Sequence, residues 1–184
     1  MASFWNSSLV EPKRKNRWKF LLPSANGGVI TEWMVKDVKK PSMSIAAVEH
    51  KFGQHTFKWP GNAKWDETSF TVVDPAFDSL DAARTLINKL VAAGYKTPTG
   101  IDNALTFMTK AKALAAIGTP QIIQLGSDNL VPPLEVWTLH NAFITKMDFG
   151  ELNYEGDGDL VTVSLSLTYD YATLEKSALQ GGNS

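Results

Sequence analysis

The chain of 184 residues contains no cysteine and only three histidines. The first absence rules out disulfides, thiolate nucleophiles and cysteine-ligated zinc, so the fold must hold without covalent staples. That fits a reducing cytoplasm. Scarce histidine leaves few groups able to take and return protons near neutral pH. No run of about 18 apolar residues occurs, and no apolar signal core follows the N-terminus, so the sequence predicts a protein that neither spans a membrane nor leaves by a signal peptide. The nucleotide-binding GxGxxG and GxxxxGK[ST] loops and the hydrolase GxSxG elbow are missing too. These gaps predict a protein with no catalytic site and no cofactor.

Net charge is −1 with 43% hydrophobic and 20% charged residues, the balance of an ordinary globular chain and not of a disordered or strongly DNA-gripping one. Its length predicts a single domain over residues 1–184, with a core at about 16–175 and extended or mobile ends at 1–15 and 176–184. Six tryptophans, at positions 5, 18, 33, 59, 65 and 137, supply large apolar bodies for a core or for interface anchors.

Alternation marks the strands. Arg17 to Leu22 sets Trp18, Phe20 and Leu22 on one face; after the Asn26-Gly27-Gly28 turn, Val29 to Asp37 alternates again. Met43 to His50 and His55 to Trp59 flank a turn at Gly53, a hairpin whose Glu49, His50, Lys51, Gln54, His55 and Lys58 make it poorly hydrophobic and predict that it projects. Pro60-Gly61-Asn62 reads as a break before a strand over Trp65 to Val73. A helix capped by Asp78 or Ser79 carries Leu80, Ala83, Leu86, Ile87, Leu90 and Val91 on one face and stops at Gly94. A second helix is expected from Asp102 to Gly118, with Ala104, Phe107, Met108, Ala111, Leu114 and Ala115 as its stripe. Strands follow over Gln121 to Leu125, Val136 to Phe143 and Leu160 to Tyr171. The last has Val161, Val163, Leu165, Leu167, Tyr169 and Tyr171 on one side and Thr162, Ser164, Ser166, Thr168 and Asp170 on the other. The fold class is therefore α+β: a mainly antiparallel β-barrel or sandwich with one or two helices.

The candidate metal patterns fail on spacing. His50 and His55 lie across a turn and not on a helix, and His140 has no ligand partner nearby in sequence. Asp157 and Asp159 lead straight into a strand, which suits an acidic turn and not a calcium loop. Charge is instead segregated. Lys13, Arg14, Lys15, Arg17 and Lys19 form a basic arm, while Asp148, Glu151, Glu155, Asp157 and Asp159 fall in a stretch with no basic residue. Opposite charges of this kind suit contacts between subunits.

The order of elements resembles the tail tube proteins of contractile-tailed phages. Asn16 to Phe20 looks like that family's opening strand, and Phe57 to Val73, with Trp65-Asp66 and Thr71-Val72, is similar to its hairpin exit. Trp137 to Phe143, Phe149 to Tyr154 and Leu160 to Tyr171 resemble its closing strands, and the likeness covers residues 16–175. It implies a virion protein, assembled in the host bacterial cytoplasm, that stacks as rings of usually six copies around a channel for DNA. It further implies sheath, baseplate and tape-measure partners. Tube-initiating baseplate subunits, type VI secretion rings and extracellular injection tubes share that protomer. On this reading Thr162, Ser164, Ser166 and Thr168 face the channel. Lys13, Arg14, Lys15, Arg17, His50, Lys51, Gln54, His55, Glu155, Asp157 and Asp159 meet other subunits or rings.

Overall fold

The computed structural model describes residues 13–23, 34–76, 81–100, 102, 105–126, 133–154 and 158–176. Among these residues the elements run β1 (Trp18–Leu21), β2 (Val35–Val38), β3 (Met43–Phe52), β4 (His55–Trp65), β5 (Thr68–Val73), α1 (Ala82–Ala92), α2 (Lys110–Ile117), β6 (Gln121–Gln124), β7 (Glu135–His140), β8 (Phe143–Asp148), β9 (Thr162–Thr168) and β10 (Tyr171–Lys176). They form two four-stranded antiparallel sheets, β1-β6-β7-β10 and β2-β5-β9-β8, with β3 and β4 as a separate ribbon. Neither sheet closes on itself, so of the two expected architectures the sandwich holds and the barrel does not.

Alternation explains the core. Phe70 and Val72 of β5 and Val163, Leu165 and Leu167 of β9 point inward against Phe20, Ile122 and Leu139 of the first sheet. Helix α1 adds Ala82 and Leu86 to the same cluster. Its N-cap is Asp81, and not the expected Asp78 or Ser79: the Asp81 carboxylate accepts from the Arg84 N–H at 2.7 Å, while positions 77–80 lie outside the described residues. Lys89, on the same helix, is buried and donates to the carbonyls of Pro23 at 2.8 Å and Ala116 at 3.3 Å. It ties both helices to the end of β1, and burial holds its amine below the usual lysine range.

Four expectations are corrected. The expected second helix does not run unbroken from Asp102: residues 105–109 are not helical, and α2 starts at Lys110, capped by Thr109. Phe107 and Met108 instead run as exposed chain against Gly94, which is at φ +107°; a Cβ there would lie 3.1 Å from the Phe107 carbonyl. Second, β4 runs straight through Pro60-Gly61-Asn62. Its outer edge has no strand partner, so Pro60 withholds no needed donor, and a bulge opposite Ala46 takes up the extra residue.

Third, the expected strand Val136 to Phe143 is two strands in different sheets, divided at Asn141, which adopts φ 57°. Fourth, Leu160 to Tyr171 divides likewise at Tyr169-Asp170. The two corners hold each other: Asp170 N–H donates to the His140 carbonyl at 3.0 Å, and Asn141 Nδ2 donates to Asp170 Oδ2 at 2.7 Å. Lys110 joins them at 2.8 Å and, with Asn141, lowers the Asp170 carboxyl below its ordinary range. The expected segment Val29 to Trp33 lies outside the described residues, as do Trp5 and Leu80.

Candidate assembly surfaces

The hydroxyls of β9 sit where alternation puts them. Thr162, Ser164, Ser166 and Thr168 face away from the core, and antiparallel pairing sets them beside Ser69, Thr71 and Val73 of β5. Thr71 Oγ1 donates to Asp37 Oδ1 at 3.1 Å and lies 3.4 Å from Ser164 Oγ, while Thr168 donates to Glu67 at 2.9 Å. Lys146 and Asp148 of β8 complete this outer face. The result is a hydroxyl-rich plane with a mild acidic bias, bounded by the edge strands β2 and β8.

The β3–β4 ribbon stands apart. β3 is exposed along its whole length and β4 everywhere except Gly61 and Trp65. Pairing places Val48 beside Trp59, His50 beside Phe57 and Phe52 beside His55 on one face. Phe57 and His50 each lie 6.2 Å from Trp59, ring to ring, and Phe52 is 74% exposed at the tip. The tip is thus apolar on one face, contrary to the expectation of a poorly hydrophobic hairpin. Counting charged residues hid it, because Glu49, Lys51, Thr56 and Lys58 all fall on the opposite face, where Lys58 pairs with Glu49 at 3.2 Å. Gln54 follows Gly53 in the turn, at φ +61° for the glycine.

The basic arm is partly spent inside the protomer. Lys13 and Lys40 both pair with the buried carboxylate of Glu135, Lys40 at 2.9 Å. The hydrogen bond from Lys13, reinforced by Lys40, holds the Glu135 carboxyl at about 2 despite its burial. The Gln124 amide binds the carbonyls of Arg14 and Arg17, so the arm is pinned to β6. Around it opens a cleft of about 550 Å³, lined by Lys13, Arg14, Lys15, Lys36, Lys40 and Asp37 over a floor of Trp18, Val38 and Ile122. Sequence order concealed this site, since residues 13–15 and 36–40 become neighbours only where β1 and β2 lie at matching sheet edges. Of the expected acidic partners, Asp159 is exposed, and Glu155 and Asp157 lie outside the described residues.

A depressed carboxyl stabilises the fold above its unfolded pKa, so Glu135 contributes from about pH 4.5 upward and that contribution fades as pH falls toward 2. Glu135→Gln is expected to cost about 2 kcal/mol at pH 7, allowing for solvent around the half-exposed lysines, and almost nothing near pH 2. Parallel denaturant unfolding of both proteins across this range measures it. A difference independent of pH would contradict the pairing.

No cluster of three metal-ligating side chains occurs among the described residues, and none of their helices is long and apolar enough to cross a membrane. An enclosed apolar site, as in a ligand-binding barrel, needs closure that these sheets lack.

No family model and no curated protein matches the chain. Solved structures do match in fold. A chain of the anti-feeding prophage baseplate aligns over 93% of this chain and 100% of its own at a TM-score of 0.61 and 14% identity. A chain of the extracellular contractile injection system PVC, from its sheath/tube terminator, aligns over 91% and 99% at 0.61 and 16%. Another, from the PVC sheath-tube complex, aligns over 96% and 100% at 0.60 and 16%. The chain thus shares its fold with chains of contractile injection systems.

Proposed function

We propose that the chain is a structural, non-catalytic subunit of a phage-type contractile tail tube, assembling into stacked rings of six that line a channel for DNA. The observation that carries this reading is the second sheet, open at both edges among the described residues and hydroxyl-rich on its outer face. Edges of this kind take partners. Placing β2 of one copy near β8 of the next continues the sheet from subunit to subunit, and a repeated head-to-tail contact closes into a ring. Thr162, Ser164, Ser166 and Thr168 then face the lumen, where neutral hydroxyls and the acids Asp37, Glu67 and Asp148 outweigh Lys146 and leave a polyanion little to hold. The ribbon tip, with His50, Lys51, Gln54 and His55, reaches a neighbouring subunit or ring. Sheath, baseplate and tape-measure proteins are the expected partners, and the virion tail, built in the host cytoplasm, the expected location.

A second reading, the inner tube or a tube-initiating baseplate subunit of an extracellular injection system, is favoured by the likeness to PVC and anti-feeding prophage chains over more than nine-tenths of this one. Electron microscopy of the purified protein tests what the two share: rings or hollow tubes are expected, and a strictly monomeric species at high concentration defeats both. Particles isolated through this chain separate them. DNA-filled heads on the tails support the phage reading, and headless tubes the other.

A further inference from the structure

Past the end of β8, the described stretch from Phe149 to Tyr154 belongs to neither sheet. From Asp148 to Tyr154 every residue is exposed, with Leu152 at 84% and Tyr154 fully open. Phe149, Leu152 and Tyr154 alternate with the acids Asp148 and Glu151, and no basic residue interrupts them. Its root is fixed. Gly150 sits at φ +80° against β9, where a Cβ would lie 2.6 Å from the Thr162 carbonyl, and its N–H donates to Asp148 at 3.1 Å. The segment is therefore presented in a set direction.

The basic cleft carries the complementary chemistry. Five cations, Lys13, Arg14, Lys15, Lys36 and Lys40, stand against Asp37 and the Glu135 carboxylate over an apolar floor of Trp18, Val38 and Ile122. Its 550 Å³ falls within the roughly 300–1,000 Å³ of sites that hold a ligand. The two features lie beside opposite edges of one sheet, the cleft next to β2 and the segment leaving β8, with β5 and β9 between. Three strand spacings, about 14 Å, separate them within one copy. We infer that the segment around Glu151, Leu152 and Tyr154 of one copy docks in the Lys15–Lys36 cleft of the next, its apolar side chains on Trp18, Val38 and Ile122 and its acids on the lysines.

This inference rests on the ring reading and names its lateral joint. Being heterologous, the contact repeats in one direction, as ring closure requires. Charge sets which segment enters, and the apolar floor supplies the hold.

The test is a fluorescently labelled peptide of residues 147–161, titrated by anisotropy into the full chain held below its assembly threshold. Saturable binding is expected, weakening several-fold when salt is raised. Lys15 and Lys36 are both exposed, so the Lys15→Glu/Lys36→Glu double variant keeps its fold, checked by circular dichroism, and is expected to bind at least about tenfold more weakly. A Glu151→Lys peptide should regain part of that loss, and a Leu152→Asp peptide should not bind. Equal binding of a scrambled peptide, indifference to the lysine reversals, or no binding at all overturns the inference. If rings form and the peptide fails, the joint is wrong while the tube reading stands. If the peptide binds and no rings or tubes ever form, the joint stands and the tube reading falls.

Discussion

Trimming Phe70 to alanine is expected to lower the unfolding free energy by about 3–5 kcal/mol and the midpoint temperature by roughly 10 °C or more. The ring lies at the centre of the sandwich, 1% exposed, on a strand whose neighbours both press on it. Leu165 and Val38 face it across the strands, and Phe20 meets it from the other sheet with centroids 4.6 Å apart. Strands paired on both sides cannot close in on the void, so the cavity term adds to the lost transfer energy. Thermal and denaturant unfolding of the variant measure the cost. A shift under about 1 kcal/mol would mean that the two sheets do not share this core. Since the whole domain holds only about 5–15 kcal/mol, the variant should also be poorly soluble.

The second large effect concerns assembly and not stability. Replacing Phe57 and Trp59 together with aspartate is expected to leave the protomer's midpoint within about 2 °C of wild type, because both side chains are half exposed on a ribbon that is separate from the two core sheets. On the proposed ribbon joint the opposite is expected for tubes: at about 2 kcal/mol for each aromatic anchor, about 4 kcal/mol for the pair, the concentration needed for assembly rises by roughly three orders of magnitude. A two-stranded ribbon without a third strand is marginal in water. Amide exchange over residues 43–65 should therefore be fast in the protomer and slow in the assembled form. Sedimentation and negative-stain microscopy read the first effect, exchange the second. Tubes that form normally from the double variant would remove the ribbon from the joint. The lateral contact inferred at the Lys15–Lys36 cleft would be a separate surface, so on the ring reading losing stacking while keeping single rings is the expected appearance.

Some of this was legible in order alone. Val163, Leu165, Leu167 and Tyr169 are buried just as their period of two demands, and the opposite hydroxyls face outward. Helix α1 follows from Leu86 and its period of 3.6, with Gly94 at positive φ past its end. The hairpin turn at Gly53 was legible because only one residue there tolerates φ +61° cheaply. The corners were not. Alternation continues unbroken through Asp170, and what ties that corner to the one at Asn141 is a hydrogen bond between residues 29 apart. Pro60-Gly61-Asn62 carries every local sign of a break, which a ribbon with an open edge overrides.

The sequence by itself determined the excluded chemistries, the α+β class, the exposed hydroxyl face and the segregated charge. These depend on residue type and on spacings shorter than one element, where side-chain direction follows from backbone period alone. Tertiary structure decided that the sheets stay open, that strands change sheet at two corners, and that Lys13 and Lys40 meet over Glu135. It also decided that a basic cleft and an acidic, apolar segment flank opposite edges of one sheet. Each of these is a relation between residues 27 to 122 apart, fixed by which edges pair when the core closes, and no local pattern encodes it.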